Sequence, residues 1–232
     1  MSDHDPNKKT KLTIEKQNVD ADTDPRLLAL FEAAESVFLA KGYHAATMNE
    51  VAKAAGMSKK TVYTLIESKA DLFSSLLAHH HSLLKFPEPE PDWTPQDILV
   101  SHLLTLARFL LSASQIAILR LIMAEYTHSP DFGRVFLRNR VIKAKAKLET
   151  RLSDLALNHG FCIPDAKESS AMLFGMAIGE FHLGILVGFR APPSKQALEA
   201  RVRRAVEIFC AGCGPGGAIP PLPTYGEPSP RG

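Results

Sequence analysis

At 232 residues, with 45% hydrophobic and 22% charged side chains, the chain has room for one ordinary domain and a smaller one, each with an apolar core. A net charge of +2 excludes a polycation that coats nucleic acid along its whole length, and three cysteines do not suggest a disulfide framework. The opening M-S-D-H-D-P has no apolar run behind a basic region, so no secretory signal is expected, and a cytoplasmic location is.

Residues 1–23 are polar, mixed in charge and aperiodic, and they read as a disordered arm. Lys8, Lys9, Lys11 and Lys16 make it either a solvated tail or an arm that reaches a minor groove. From Arg26 to Lys41, Leu27, Leu30, Phe31, Ala34, Phe38 and Leu39 fall on one helical stripe that Gly42 ends. The next stretch is T-M-N-E-V-A-K-A-A-G-M-S-K-K-T-V-Y-T-L-I-E-S-K, from Thr47 to Lys69. Thr47 and Glu50 have capping-box spacing, and Gly56 stands where a short helix must stop in a left-handed conformation. Ser58 caps a second short helix whose first turn carries Lys59, Lys60 and Thr61. Two helices across such a turn predict a helix-turn-helix unit over Thr47 to Ile66, with its second helix in the DNA major groove. Between Lys41 and Lys69, five lysines stand against Glu50 and Glu67, so basicity gathers where a duplex would lie. Ser68 opens a fourth helix, whose C-terminal end holds His79, His80 and His81.

The succession F-L-A-K-G-Y, then T-M-N-E-V-A-K-A-A-G-M-S-K-K-T-V-Y, then S-K-A-D-L-F closely resembles the TetR family of transcriptional regulators. It is strong over residues 24–84 and one of general layout beyond. The resemblance implies phosphate contacts for Thr47 and Lys69, and a backbone contact or packing against the preceding helix for Tyr63. Family members commonly follow the tyrosine with an aromatic or histidine and then phenylalanine; here Thr64, Leu65 and Ile66 follow. Lys59 and Lys60 are therefore expected to supply more of the affinity than is usual, with Thr64 adding a hydroxyl contact or touching a thymine methyl. The expected DNA-binding set is Thr47, Ser58, Lys59, Lys60, Thr61, Tyr63, Thr64 and Lys69. Dimer binding to a two-fold site would space half-sites about 34–36 Å apart. Three or four phosphates per subunit would give a salt slope of about −5 to −7.

Residues 85–94 form a proline-rich link, because prolines alternating with acids cannot continue a helix. Helical patterns then run from Pro95 to Ala113, Gln115 to His128, Ser129 towards His159, Pro164 to Phe189, and Ser194 to Cys210. The fold expected is all-α, with about nine helices: an N-terminal three-helix helix-turn-helix domain and a C-terminal helical ligand-binding and dimerisation domain over 95–213. Residues 214–232 read as a disordered tail.

In the penultimate helix the glycines recur at helical spacing, so Gly175 and Gly179 with Val202 and Val206 of the last helix are the expected homodimer interface. A membrane span is the rival reading of that helix, and Glu180 and His182 in its middle disfavour it. The family resemblance also implies a small hydrophobic effector among the middle helices, with His102, Phe109, Met123, Tyr126 and Phe174 as candidate contacts. R-L-I-M-A-E-Y-T-H-S-P-D-F-G is similar to a segment of some TetR-like C-terminal domains, where Arg120 and Glu125 look like a structural pair.

Gly212 to Gly217 has G-x-G-x-x-G spacing but follows a helix, so a dinucleotide reading fails. Cys210 and Cys213 have the spacing of a redox or metal pair without the βαβ context, and Cys162 reads as buried or idle. No catalytic motif, metal set or cofactor site is expected. The function expected is a ligand-responsive repressor that binds double-stranded DNA as a dimer. The alternatives are an activator, and a small-molecule-binding protein of the same fold without DNA function.

Overall fold

The computed structural model describes residues 24–126 and 146–215. The expected arm over 1–23, the first half of the helix from Ser129 and the tail from 216 lie outside the described residues. Among the described residues every regular element is helical: α1 Pro25–Lys41, α2 Met48–Ala54, α3 Lys59–Leu65, α4 Lys69–Ser82, α5 Pro95–Leu110 and α6 Ala113–Tyr126. Then come α7, described over 146–158, α8 Ala166–Phe174, a π turn at Gly175–Gly179, α9 Glu180–Leu186 and α10 Lys195–Cys213.

Local chemistry explains most boundaries. Asp24 accepts the Arg26 N–H and Pro25 takes the first turn of α1, where its missing donor costs nothing. The Thr47 and Glu50 box forms in both directions at α2. Gly56, at φ 66°, makes the turn into α3, a conformation that costs a side-chain-bearing residue about 1–2 kcal/mol. Ser58, Ser68 and Ser194 cap α3, α4 and α10. Thr94 and Asp97 form a second capping box at α5.

Two apolar cores result. The first gathers Leu30, Phe31, Phe38, Val51, Val62, Leu72, Phe73 and Leu76 from α1 to α4. Ile66 plugs it where the resemblance led one to expect an aromatic ring. Leu39, expected on the inner stripe of α1, is instead 40% exposed. The second core joins α5, α7, α8, α9 and α10 through Leu99, Leu103, Leu106, Leu148, Leu152, Leu173, Phe181, Val202 and Val206.

α6 belongs to both cores. It leaves α5 at 61°, gives Ile116 to the second core, and inserts Ile118 and Ile122 into the first. Arg120 donates to the carbonyls of Ile185 at 2.7 Å and Leu186 at 2.9 Å, satisfying the free end of α9. Glu125 accepts the Tyr43 N–H at 3.1 Å and pairs with His44 at 2.9 Å, in the loop between α1 and α2. Arg120 and Glu125 are thus both structural, but they join different parts of the molecule and not each other.

One described helical run, Ala166–Leu186, is long and apolar enough to cross a membrane. It packs on α5 and α10 in the second core.

Candidate nucleic-acid interface

α3 is held from beneath and bare above. Val62 is fully buried and Ile66, just past the helix, is nearly so, which fixes the inner edge. Ser58, Lys59, Lys60, Tyr63 and Thr64 are exposed on the other positions. The Ser58 hydroxyl accepts the Thr61 N–H at 3.1 Å and lies 2.8 Å from the Thr61 hydroxyl, so the first turn is rigid before any partner arrives. Lys59 and Lys60 have no ion-pair partner among the described residues. The Lys59 ammonium lies 5.8 Å from the Tyr63 ring centroid, and that ring is 44% exposed. Tyr63 is therefore a surface residue available for contact and not a packing residue. Thr64 donates its hydroxyl to the Lys60 carbonyl at 2.9 Å, which leaves its oxygen free to accept.

The remaining lysines divide. Lys41 pairs with Glu50, and that bond, followed by those from Thr47, holds the Glu50 carboxyl down at about 2. Lys53, at the end of α2, is exposed with no ion-pair partner among the described residues. Lys69 departs from the phosphate contact expected of it. Its ammonium donates to the carbonyls of Tyr43 at 2.8 Å, His44 at 3.1 Å and Ala46 at 2.9 Å, and lies 4.6 Å from the Tyr43 ring. Those three bonds use all three of its donors, so the side chain ties α4 to the α1–α2 loop. Thr47 is likewise committed to its cap, donating its hydroxyl to Glu50 at 3.0 Å.

Two family descriptions match this chain. Residues 30–76 match the bacterial regulatory proteins of the tetR family, and residues 97–214 match the C-terminal domain of AefR-like transcriptional repressors. The chain belongs to the TetR family. It is therefore a transcriptional regulator with a DNA-binding fold, in a family of non-enzymatic transcription factors. Among curated relatives, the HTH-type transcriptional activator FasR of Mycolicibacterium smegmatis is 44% identical over 57 residues, 25% of this chain and 26% of that protein. The uncharacterized HTH-type transcriptional regulator YdeS of Bacillus subtilis is 34% identical over 125 residues, 52% of this chain and 62% of that one. The chain thus matches less than two thirds of the length of either relative. Among solved structures, the flavonoid-responsive regulator FrrA superimposes with a TM-score of 0.67 at 25% identity, covering 81% of this chain and 96% of that one. A TetR-family regulator from Mesorhizobium loti gives 0.66 at 24% identity, covering 80% and 95%, and shares the fold.

The other TetR-type expectations fare unevenly. Val202 and Val206 are buried at 0% and 1% exposure within the protomer, because the inner stripe of α10 packs on α5. They cannot touch a second copy, and that part of the expected interface is corrected. Gly175 is exposed and Gly179 half-buried, and a Cβ on either would meet nothing within 4 Å. Around them Met172, Leu183, Val187 and Ile208 are exposed apolar side chains. A groove of about 500 Å³ runs between α8 and α10 and includes Met172, Gly175 and Ile208 in its walls.

The candidate effector contacts separate as well. His102, Phe109 and Phe174 lie in or against the second core. Met123 and Tyr126 are 49% and 45% exposed, because α6 turns Ile118 and Ile122 towards the first core. Consecutive helical positions lie about 100° apart, so Met123 points elsewhere. His102 is 5% exposed and stacks on Phe86 at 3.9 Å, and its Nε2 has no hydrogen-bond partner among the described residues. Burial, reinforced by the charges of Arg151 and Lys147, lowers it to about 4, so the ring is neutral at pH 7.

His79, His80 and His81 stand in the last turn of α4 as expected, but they are half-buried and not a bare polar face, and His80 makes a joint there. His80 bridges Glu35 of α1 at 2.9 Å and Gln115 of α6 at 3.2 Å, while Ser114 donates to Glu35 at 2.9 Å. No sequence periodicity marks that joint, since its members lie up to 80 positions apart in the chain.

Proposed function

We propose that this regulator is an effector-responsive repressor that binds a two-fold DNA operator as a homodimer, reading it with Lys59, Lys60, Tyr63 and Thr64 of α3. The observation that carries the reading is the first turn of α3: two exposed lysines without ion-pair partners among the described residues, on a helix fixed by a buried valine and a serine cap. Exposed cations in a rigid frame meet phosphates or guanine edges without reorganising first. Support for repression comes from the match to AefR-like repressors over residues 97–214. The exposed apolar row from Met172 to Val187, with Ile208, supports pairing through α8, α9 and α10, with Gly175 and Gly179 in place to let a partner helix approach.

The effector proposed is a small, largely apolar molecule that offers a hydroxyl or similar group to His102. A buried imidazole nitrogen without a partner is costly, and a ligand that bonds it recovers that cost. The likeness to FrrA, flavonoid-responsive by name, makes polyphenols the first compounds to try. α6 would carry the signal, because it is anchored at once to α9, to the first core and to the α1–α2 loop. To release most of the DNA, the effector must favour the open arrangement by about 5 kcal/mol.

Selection of bound duplexes from a random pool, repeated with polyphenols, tests the reading. A palindromic sequence whose binding falls on adding effector supports it; failure to retain any duplex at low salt would sink it. Activation is the second reading, favoured by the 44% identity to FasR over its matched quarter. A reporter behind the selected operator decides between them by the direction of its response.

A further inference from the structure

Cys210 and Cys213 lie about one turn apart on α10, and the fold brings a third thiol to the same end of that helix. Cys162, in the loop after α7, donates its N–H to the carbonyl of Cys213, at the end of α10, at 2.7 Å. By bond lengths alone, a single link of that length keeps the two Cα atoms within about 6.5 Å of each other, below the ~6.8 Å upper limit that a disulfide spans. Both segments are built to meet. Gly160, at φ 68°, turns the loop so that Phe161 buries its ring in the second core and donates to Leu155 at 3.3 Å. Gly214 donates to the Cys210 carbonyl at 2.7 Å, and a Cβ there would stand 2.4 Å from that oxygen, so only glycine permits this close turn after α10. Cys162 is exposed and reachable by a small oxidant, whereas Cys213 is 4% exposed beneath it, and all three thiols are free. No group of three metal-ligating side chains occurs among the described residues, so the thiols have no metal set to join.

We propose that Cys162 and Cys213 are a peroxide-sensitive thiol pair that closes to an intramolecular disulfide. The exposed Cys162 sulfur attacks hydrogen peroxide, the O–O bond breaks, and sulfenic acid and one water form. The Cys213 sulfur then attacks the Cys162 sulfur, the S–O bond breaks, and a second water leaves. In sum, two thiols and one peroxide become one disulfide and two waters, with sulfur oxidised and peroxide oxygen reduced. Burial raises the Cys213 thiol above its ordinary range, so the closing step speeds up as pH rises. Burial also raises Cys210, to about 11. The cross-link fastens the loop that leads into α8 onto α10, joining two walls of the groove between those helices. It depends on neither the operator nor the effector reading.

The experiment treats the full-length protein with hydrogen peroxide, blocks remaining thiols and maps non-reduced peptides by mass spectrometry. Two of three thiols should disappear, a 162–213 linked peptide should appear, and dithiothreitol should restore both. The melting temperature should rise by on the order of 5–10 °C in the oxidised form. Cys162→Ser, at an exposed position, should melt like the reduced parent and form no link, while Cys210→Ala should still form it. A 210–213 link, a disulfide between chains, a sulfinic Cys162 beside an intact Cys213 thiol, or no thiol loss would each overturn the proposal.

Discussion

Lys69→Met separates two roles for one lysine: a phosphate contact, as the family resemblance implies, and a clamp, as the structure shows. The substitution keeps the stem and removes three charge-assisted bonds, to Tyr43 at 2.8 Å, Ala46 at 2.9 Å and His44 at 3.1 Å. Bonds to a charged donor contribute about 1.5–3 kcal/mol each when buried. This site is half-buried and the three bonds share one ammonium, so about 2–4 kcal/mol in total is expected, including the contact with the Tyr43 ring. For a chain of this size that lowers the melting temperature by roughly 5–15 °C. Calorimetry measures the loss, and DNA titrations across salt, run well below the variant's melting point, measure the rest. A clamp leaves the slope of log K against log[salt] unchanged. A phosphate contact in each of two subunits would reduce it by about 2. Melting within a degree of the parent, together with a slope reduced by that amount, would refute the clamp.

Three other outcomes are expected. Lys59→Ala with Lys60→Ala should reduce the salt slope by roughly 3–4 for a dimer while melting and sedimentation stay unchanged, since neither side chain is packed. His102→Leu should flatten the pH dependence of stability. The folded imidazole titrates near 4 against an ordinary 6.5, so its contribution is present above pH 6.5 and is lost as pH falls towards 4. The parent should therefore lose on the order of 3 kcal/mol relative to the variant across that window, read by chemical denaturation at successive pH values. Ile122→Ala should cost about 2–5 kcal/mol, because the side chain is fully buried where α6 enters the first core. It should also weaken the effector's influence on DNA, measured as the ratio of affinities with and without ligand.

The helix-turn-helix was legible because its information is local. Thr47, Glu50, Gly56, Ser58 and Ser68 each act within four residues of themselves, so spacing alone locates the caps and the turn. The apolar stripe of α10 was equally visible, but what it faces was not: Val202 and Val206 pack on α5 of the same protomer. Periodicity shows that a face is buried and leaves open which neighbour buries it. The π turn at Gly175–Gly179 also escaped, since widening a helix by one residue leaves its composition unaltered.

Taken alone, then, the chain's residues determined an all-helical regulator, the family it resembles and the lysine-tipped second helix of its helix-turn-helix, all through short-range capping and periodicity. Tertiary structure decided that Lys69 is a clamp, that α6 serves two cores, that His80 joins three helices and that Cys162 meets Cys213. The polar pairings among these close loops of 23 to 51 residues. Over such separations only the packed core, and no local preference of the backbone, selects which polar groups finish side by side.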